Sequence, residues 1–301
     1  MQLSEIKAIF HKELEVLYPK DEIDGFFYTL VEHYLQQPRF ILALQPRFTL
    51  SKEEEAPFFT ALAQLKIERP LQYILGETHF MGIPMHVDEN VLIPRPETEE
   101  LVQWIVNGTS DNTSIKNDTS GKESTQYITT PSILDIGTGS GCIAISLAKL
   151  WTNAEVVALD VSGGALKIAR RNARLNTVAV QFIKADILDP EFRMPNTTFD
   201  IIVSNPPYVR EMEKSGIRNN VKKYEPPGAL FVPDDAPLLF YGAIAQFAQA
   251  HLRKGGQLYL EINQYLGRET QSLLKRIGFM DIELKKDIFG NDRMLKAVWK
   301  G

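Results

Sequence analysis

Residues 204–208 read Ser-Asn-Pro-Pro-Tyr and follow the apolar run Ile201–Val203. A strand that reaches Pro206 must end there, because proline has no N–H to give to a sheet ladder. The tip has a chemistry of its own. Asn205 offers a side-chain carbonyl, Pro206 offers its main-chain carbonyl, and the ring of Pro207 stiffens the turn further. Tyr208 supplies an aromatic wall. Two carbonyls aimed at one point suit a planar NH2 group, whose two N–H bonds they accept. Such a nitrogen is a poor nucleophile because its lone pair is delocalised. Holding both N–H bonds turns it toward an electrophile and favours in-line attack. No strong base is needed first, since the proton becomes acidic only once the nitrogen is alkylated. The plainer reading of the same residues is an Asn-Pro turn that closes a strand.

An electrophile needs a seat, and "LDIGTGSGC" provides one. Gly137, Thr138, Gly139, Ser140 and Gly141 end a strand and open a helix, where glycine lets backbone approach a ligand and the helix start offers free N–H groups. The dinucleotide pattern G-x-G-x-x-G requires glycine at position 142, and Cys142 stands there. The spacing G-x-G-x-G is that of S-adenosylmethionine enzymes and disfavours a nicotinamide enzyme. Asp160 ends the next strand 23 residues after Gly137, close to the spacing at which an acid meets a ribose diol. Its alternative is a helix cap. Asp186 closes "IKAD", where an adenine amino group would lie, with a cap again as the competing reading. Ile187 is placed to pack on the adenine face or in the core. Asp135 is expected to orient the glycine loop or to reach the methionine end of the donor.

These groups must be positioned by regular elements. From residue 131 onward, strands "SILDIG", "EVVALD", "VQFIKAD", "FDIIVSN" and "QLYLEI" alternate with apolar-striped helices. Short βα connections of this kind give a parallel, doubly wound sheet covered by helices. "MDIELKKDIFG" and "DRMLKAVWK", joined by "GND", must run antiparallel and form a hairpin at one edge. Residues 3–75 carry helical periodicity broken at Pro19, Pro38 and Pro46, which predicts four or five short helices. Residues 77–93 read as a hairpin turning at "DEN". "PRPETEELVQWIV" then starts a helix, with acids at the positive end of its dipole. Residues 107–130 are almost wholly Ser, Thr, Asn, Asp, Gly and Lys, and read as a disordered polar insertion. The expected division is 1–75 helical, 76–94 a linking hairpin, and 95–301 the catalytic domain.

Composition narrows the partners. The chain of 301 residues carries a formal net charge of −5, so no basic footprint for nucleic acid is evident. Residues 1–90 hold 14 acidic and 8 basic side chains, which suits a protein partner better than a phosphate backbone. A single cysteine excludes an internal disulfide and fits a reducing compartment. The first residues hold no apolar core long enough for a signal peptide, and a cytoplasmic protein is expected.

From about residue 20 to the C-terminus, the chain resembles the release factor glutamine methyltransferases. The resemblance rests on "RPLQYILGETHFMG", "VLIPRPETEELV", "LDIGTGSGCIAISLA", "ALDVS", "SNPPYV" and "YEPPGAL", of which "IPRPETE" is the most diagnostic. It implies a class I S-adenosylmethionine-dependent methyltransferase fold, with a mostly parallel seven-stranded sheet, an antiparallel edge hairpin and a small helical N-terminal domain. It implies transfer of a methyl group to the side-chain amide nitrogen (N5) of the glutamine in the Gly-Gly-Gln motif of class 1 peptide chain release factors. By motif, Gly137 to Gly141, Asp160, Ile187 and Asn205 would touch the donor. Asn205, Pro206, Pro207 and Tyr208 would hold the glutamine. Arg95, Glu97 and Thr98 would stand near the mouth of the site, or simply start a helix. No metal is called for. Where the family has a glycine-rich turn after "YEPPGALF", this chain has "VPDDAPL". The alternatives are a ribosomal-protein glutamine methyltransferase, a DNA adenine N6-methyltransferase, which would need a basic DNA face, and a binding protein that has lost catalysis.

Overall fold

A computed structural model describes residues 1–110, 131–194 and 197–301. The chain forms two compact units. One comprises Met1–Gly76 with Arg218–Tyr224, and the other Glu77–Ile217 with Glu225–Gly301.

The first unit contains helices α1 (Leu3–Leu14), α2 (Lys20–Leu35), α3 (Ile41–Leu44), α4 (Lys52–Leu65) and α5 (Leu71–Leu75). Their apolar stripes converge on a core of Phe10, Phe27 and Phe58 among Leu3, Ile6, Leu30 and Leu65. Phe10 and Phe27 meet edge to face at 5.6 Å, the arrangement aromatic rings prefer. Ser51 and Glu54 form a capping box that starts α4, so Pro57 falls within its early turns. Arg218 and helix α9 (Asn219–Tyr224), late in the chain, belong to this unit. Tyr224 donates to the carbonyl of Ile67, and Arg218 pairs with Glu22.

The second unit opens with hairpin β1 (Glu77–Phe80) and β2 (Ile83–His86). The turn is Met81-Gly82 and not "DEN", which lies beyond the hairpin. Both turn residues have positive φ, +51° and +72°, as a two-residue hairpin turn of the primed type demands. Methionine is an unusual tenant of that conformation, and Glu99 accepts a hydrogen bond from its N–H. Helix α6 (Pro96–Ser110) follows and continues through the first four residues of the stretch expected to be an insertion. The remainder of that stretch, 111–130, lies outside the described residues.

Seven strands form the main sheet: β3 (Ser132–Ile136), β4 (Glu155–Asp160), β5 (Gln181–Lys184), β6 (Phe199–Ser204), β9 (Leu252–Glu261), β10 (Met280–Lys286) and β11 (Asp292–Val298). Their spatial order is β10-β11-β9-β6-β3-β4-β5, and only β11 runs against the others. A minor parallel pair joins β7 (Val209–Arg210) to β8 (Phe231–Val232). Strands buried on both faces read as continuous apolar runs, and here they feed two cores. Ile133, Ile201 and Val203 pack with α6 and with α7 (Cys142–Leu150). Leu134, Ile136 and Ile202 pack with α10 (Leu239–His251) and α11 (Gly267–Ile277). Helix α8 (Gly163–Leu175) adds Ala173 to the first core.

Candidate active site

The strand order reverses between β3 and β6, and open α/β sheets place ligands at such a switch point, beyond the carboxyl ends of the strands. Ile136 stands opposite Ser204, and the Ser204 hydroxyl donates to the Ile136 carbonyl at 2.7 Å. This contact sets Gly137 beside Asn205. A cavity of about 320 Å³ opens there. It is bordered by the glycine loop, Asp160, Asp186, Ile187 and the strand tip at Asn205–Pro207.

The glycines divide the work. Gly137 and Gly139 have φ of +72° and +54°, and a Cβ on either would meet nothing within 4 Å. Bare backbone therefore walls the cavity at these two residues. Gly141 does not line it. A Cβ there would stand 2.8 Å from Ile145 Cδ1 and 3.2 Å from Ala169 Cβ, so this glycine lets α7 approach α8.

Asp160 accepts from the Gly139 N–H and the Ser162 N–H, each at 2.8 Å, and burial pushes its carboxyl up from the usual range. It ties the glycine loop to its own strand while facing the cavity. Asp135 lies beneath the loop. It accepts from the Thr138 hydroxyl at 2.6 Å and the Ala144 N–H at 3.3 Å, and burial pushes it up to about 7. Its second oxygen, Oδ1, is buried without a hydrogen-bond partner. Asp186 lines the cavity and accepts from the Leu188 N–H, so the cap-like turn and the lining position coexist in one residue. Cys142 also borders the cavity. Burial pushes its thiol up to about 12, far from a nucleophilic thiolate.

The tip of β6 is held by side chains from distant segments. Asn205 donates through Nδ2 to Thr98 Oγ1 at 3.1 Å. Thr98, 2 % exposed, donates to Glu261 Oε2 at 2.7 Å. Glu261, 1 % exposed at the end of β9, also accepts from the Tyr208 hydroxyl at 2.9 Å. Arg293 of β11 reaches that hydroxyl at 3.4 Å and is itself held by Asp287 at 3.1 Å. Asn263 donates to the Tyr208 carbonyl at 2.9 Å. Burial pushes the Glu261 carboxyl up, and it pushes the Tyr208 phenol well above its ordinary value.

Three residues expected at the site are not among those that border the cavity. The ring of Tyr208 packs with the core beneath α10 and does not line the cavity. Glu97 and Gly141 do not line it either. Arg95 does, and its guanidinium pairs with buried Glu225 at 2.6 Å, which also accepts from the Ile93 N–H at 3.3 Å. Glu261, Arg293 and Glu225 escaped the sequence reading. Glu261 alone carried a signal, as an acid at the carboxyl end of a strand in a sheet that binds ligands on that edge.

The sheet order, the reversed β11 and the glycine loop at the switch point define a class I S-adenosylmethionine-dependent methyltransferase. A solved structure of the hMettl16 catalytic domain shares the fold at a TM-score of 0.51 and 14% identity, covering 84% of this chain and 83% of that one. Residues 123–224 match the family model described as methyltransferase small domain, and residues 13–76 match the PrmC N-terminal domain. A release factor glutamine methyltransferase of Flavobacterium psychrophilum is 50% identical over 100% of both chains. One of Bacteroides thetaiotaomicron is 38% identical over 98% of this chain and 99% of its own. The chain belongs to the release factor glutamine methyltransferase family.

The residues present fit S-adenosylmethionine. Two side-chain-free positions wall the cavity, a carboxylate borders it, and a buried carboxylate oxygen beside the loop lacks a donor.

Proposed function

We propose that this protein transfers the methyl group of S-adenosylmethionine to the side-chain amide nitrogen of the glutamine in the Gly-Gly-Gln motif of a class 1 peptide chain release factor. The observation that carries the reading is the placement of Asn205 and Pro206 on the same cavity as the glycine loop. When bound, the donor supplies an electrophilic methyl group on a sulfonium. Gly137, Thr138, Gly139 and Ser140 line its seat, Asp160 stands where it would accept from ribose hydroxyls, and Ile187 offers an apolar face. The carbonyls of Asn205 and Pro206 accept the two N–H bonds of the incoming amide, which keeps its nitrogen turned to the methyl group. Tyr208 acts from behind, holding the turn through Glu261 rather than stacking on the substrate. The helical unit 1–76 is assigned to grip the release factor, and the cytoplasm is the compartment in which that partner works. Among the described residues no helix is long and apolar enough to cross a membrane.

The test is incubation with labelled donor and a purified release factor, followed by mass spectrometry of the Gly-Gly-Gln peptide. Methylation of that glutamine is expected. Label on a ribosomal protein or on DNA, with none on the release factor, would sink the reading.

A further inference from the structure

Glu261 is a buried carboxylate that touches neither the glycine loop nor Asn205 directly, yet its two oxygens serve one hydroxyl each. One leads to Asn205 and the other is that of Tyr208. We propose that Glu261 is a positioning residue: through Thr98 it fixes the Asn205 amide with its NH2 toward Thr98 and its carbonyl presented to the cavity.

The direction of the hydrogen bonds follows from counting protons. As a carboxylate, Glu261 can only accept. The single hydroxyl proton of Thr98 therefore goes to Oε2, at 2.7 Å. Oγ1 has only lone pairs left, so the Asn205 atom 3.1 Å away must be the donor, Nδ2. Oδ1 is turned the other way and accepts no hydrogen bond among the described residues. Asn205 borders the cavity, so the acceptor needed for a substrate N–H is the end left available.

A buried carboxylate is costly to keep, and packing alone would be served as well by an uncharged side chain of similar volume. Glutamine fills the same space but presents a donor as well as an acceptor. Placed at 261, its NH2 can face Thr98, whose proton then turns to Asn205 Oδ1. The Asn205 amide reverses and sets its own N–H groups against those of the substrate. The acceptor-only character of Glu261 removes that alternative.

The catalytic consequence rests on the methyl-transfer reading, whereas the amide orientation can be read in the free protein. Glu261→Gln and Thr98→Val are assayed with the release factor, and donor affinity is measured by calorimetry. Turnover is expected to fall on the order of a hundredfold in each, the loss typical of a misplaced site. Donor affinity should stay near that of the wild type. The double variant should be little worse than the poorer single, because both cut one chain. Thr98→Ser should restore most of the turnover lost in Thr98→Val. In protein labelled with ¹⁵N-asparagine, the Asn205 NH2 pair (identified by its loss in Asn205→Ala) should move in Glu261→Gln and Thr98→Val and return in Thr98→Ser. The proposal is overturned by wild-type-like turnover in Glu261→Gln, by losses that multiply in the double variant, or by an unmoved amide pair. A wild-type protein that binds donor but leaves every release factor unmethylated would remove the functional reading. The amide spectra would still decide the role of Glu261.

Discussion

At the tip of β3 the carboxylates are met largely by neighbours in sequence. Asp135 takes Thr138 and Ala144, Asp160 takes Ser162, and the longer reaches include Asp160 to Gly139, Asn172 to the Ser140 carbonyl and Ser204 to the Ile136 carbonyl. At the tip of β6 the contacts come from afar. Asn205 is held from position 98, Thr98 from 261, and Tyr208 from 261, 263 and 293. Backbone N–H groups supply most of the contacts to the carboxylates around the glycine loop, and side chains alone link Asn205 to Glu261. A backbone-built seat tolerates side-chain change wherever φ allows it. A side-chain relay fails at any one member.

The largest effect should therefore come from Asn205→Ala. Methyl transfer should drop on the order of 10²–10³-fold, as when one preorganised polar group is removed from a reacting centre. Calorimetry should show donor affinity little changed; parallel loss of both would mean the two sides are not separable. Asp160→Ala should do the reverse, weakening donor binding by about tenfold, the size of one hydrogen bond to a charged group. The glycines should split in the same way. Gly141→Ala should cost about 1–3 kcal/mol through overpacking against Ile145 and Ala169, seen as a lower Tm. Gly139→Ala carries the strain of a positive φ but meets open space, so its loss of Tm should be smaller than that of Gly141→Ala and its loss of donor affinity larger. Equal behaviour of the two would undo the division of labour.

The smallest signal is a slope. Burial holds the Asp135 carboxyl up to about 7 from an ordinary 3.8. Between those values the unfolded chain loses its proton while the folded one keeps it. The contribution of Asp135 to stability is thus full in acid, falls as pH rises through that window, and levels off above it. Asp135→Asn should flatten this part of a Tm-against-pH series, and an unaltered slope would show that folding does not raise the Asp135 pKa.

The same contrast explains what was legible in the sequence. "LDIGTGSG" and the Asp after the next strand encode their geometry within about 25 residues, so the cavity lining at Gly137–Ser140 and Asp160 could be read from them. "NPPY" disclosed its carbonyls but not its support, since nothing near it names Thr98, Glu261 or Arg293. Tyr208 shows the same gap: its hydroxyl donates to Glu261, and its ring packs with the core and does not border the cavity. "DEN" drew the hairpin turn to the wrong place because it has turn composition. Met81 takes the positive φ instead, beside a Glu99 that binds its N–H. Helix α6 outlasts its apolar stripe, and composition alone ended it too early.

Strand β11 lies between β9 and β10 although it follows both in the chain. A chain that lacks β11 leaves β10 with no place to dock, because β11 is the strand that joins it to the sheet. Until β11 appears, β9 presents an open edge, a surface prone to pairing with other chains. Arg293, which braces Tyr208, arrives on that same late strand. Closing the sheet and completing the relay are one event, so a ribosome-bound chain halted before residue 293 would hold a finished glycine loop and an unbraced acceptor tip.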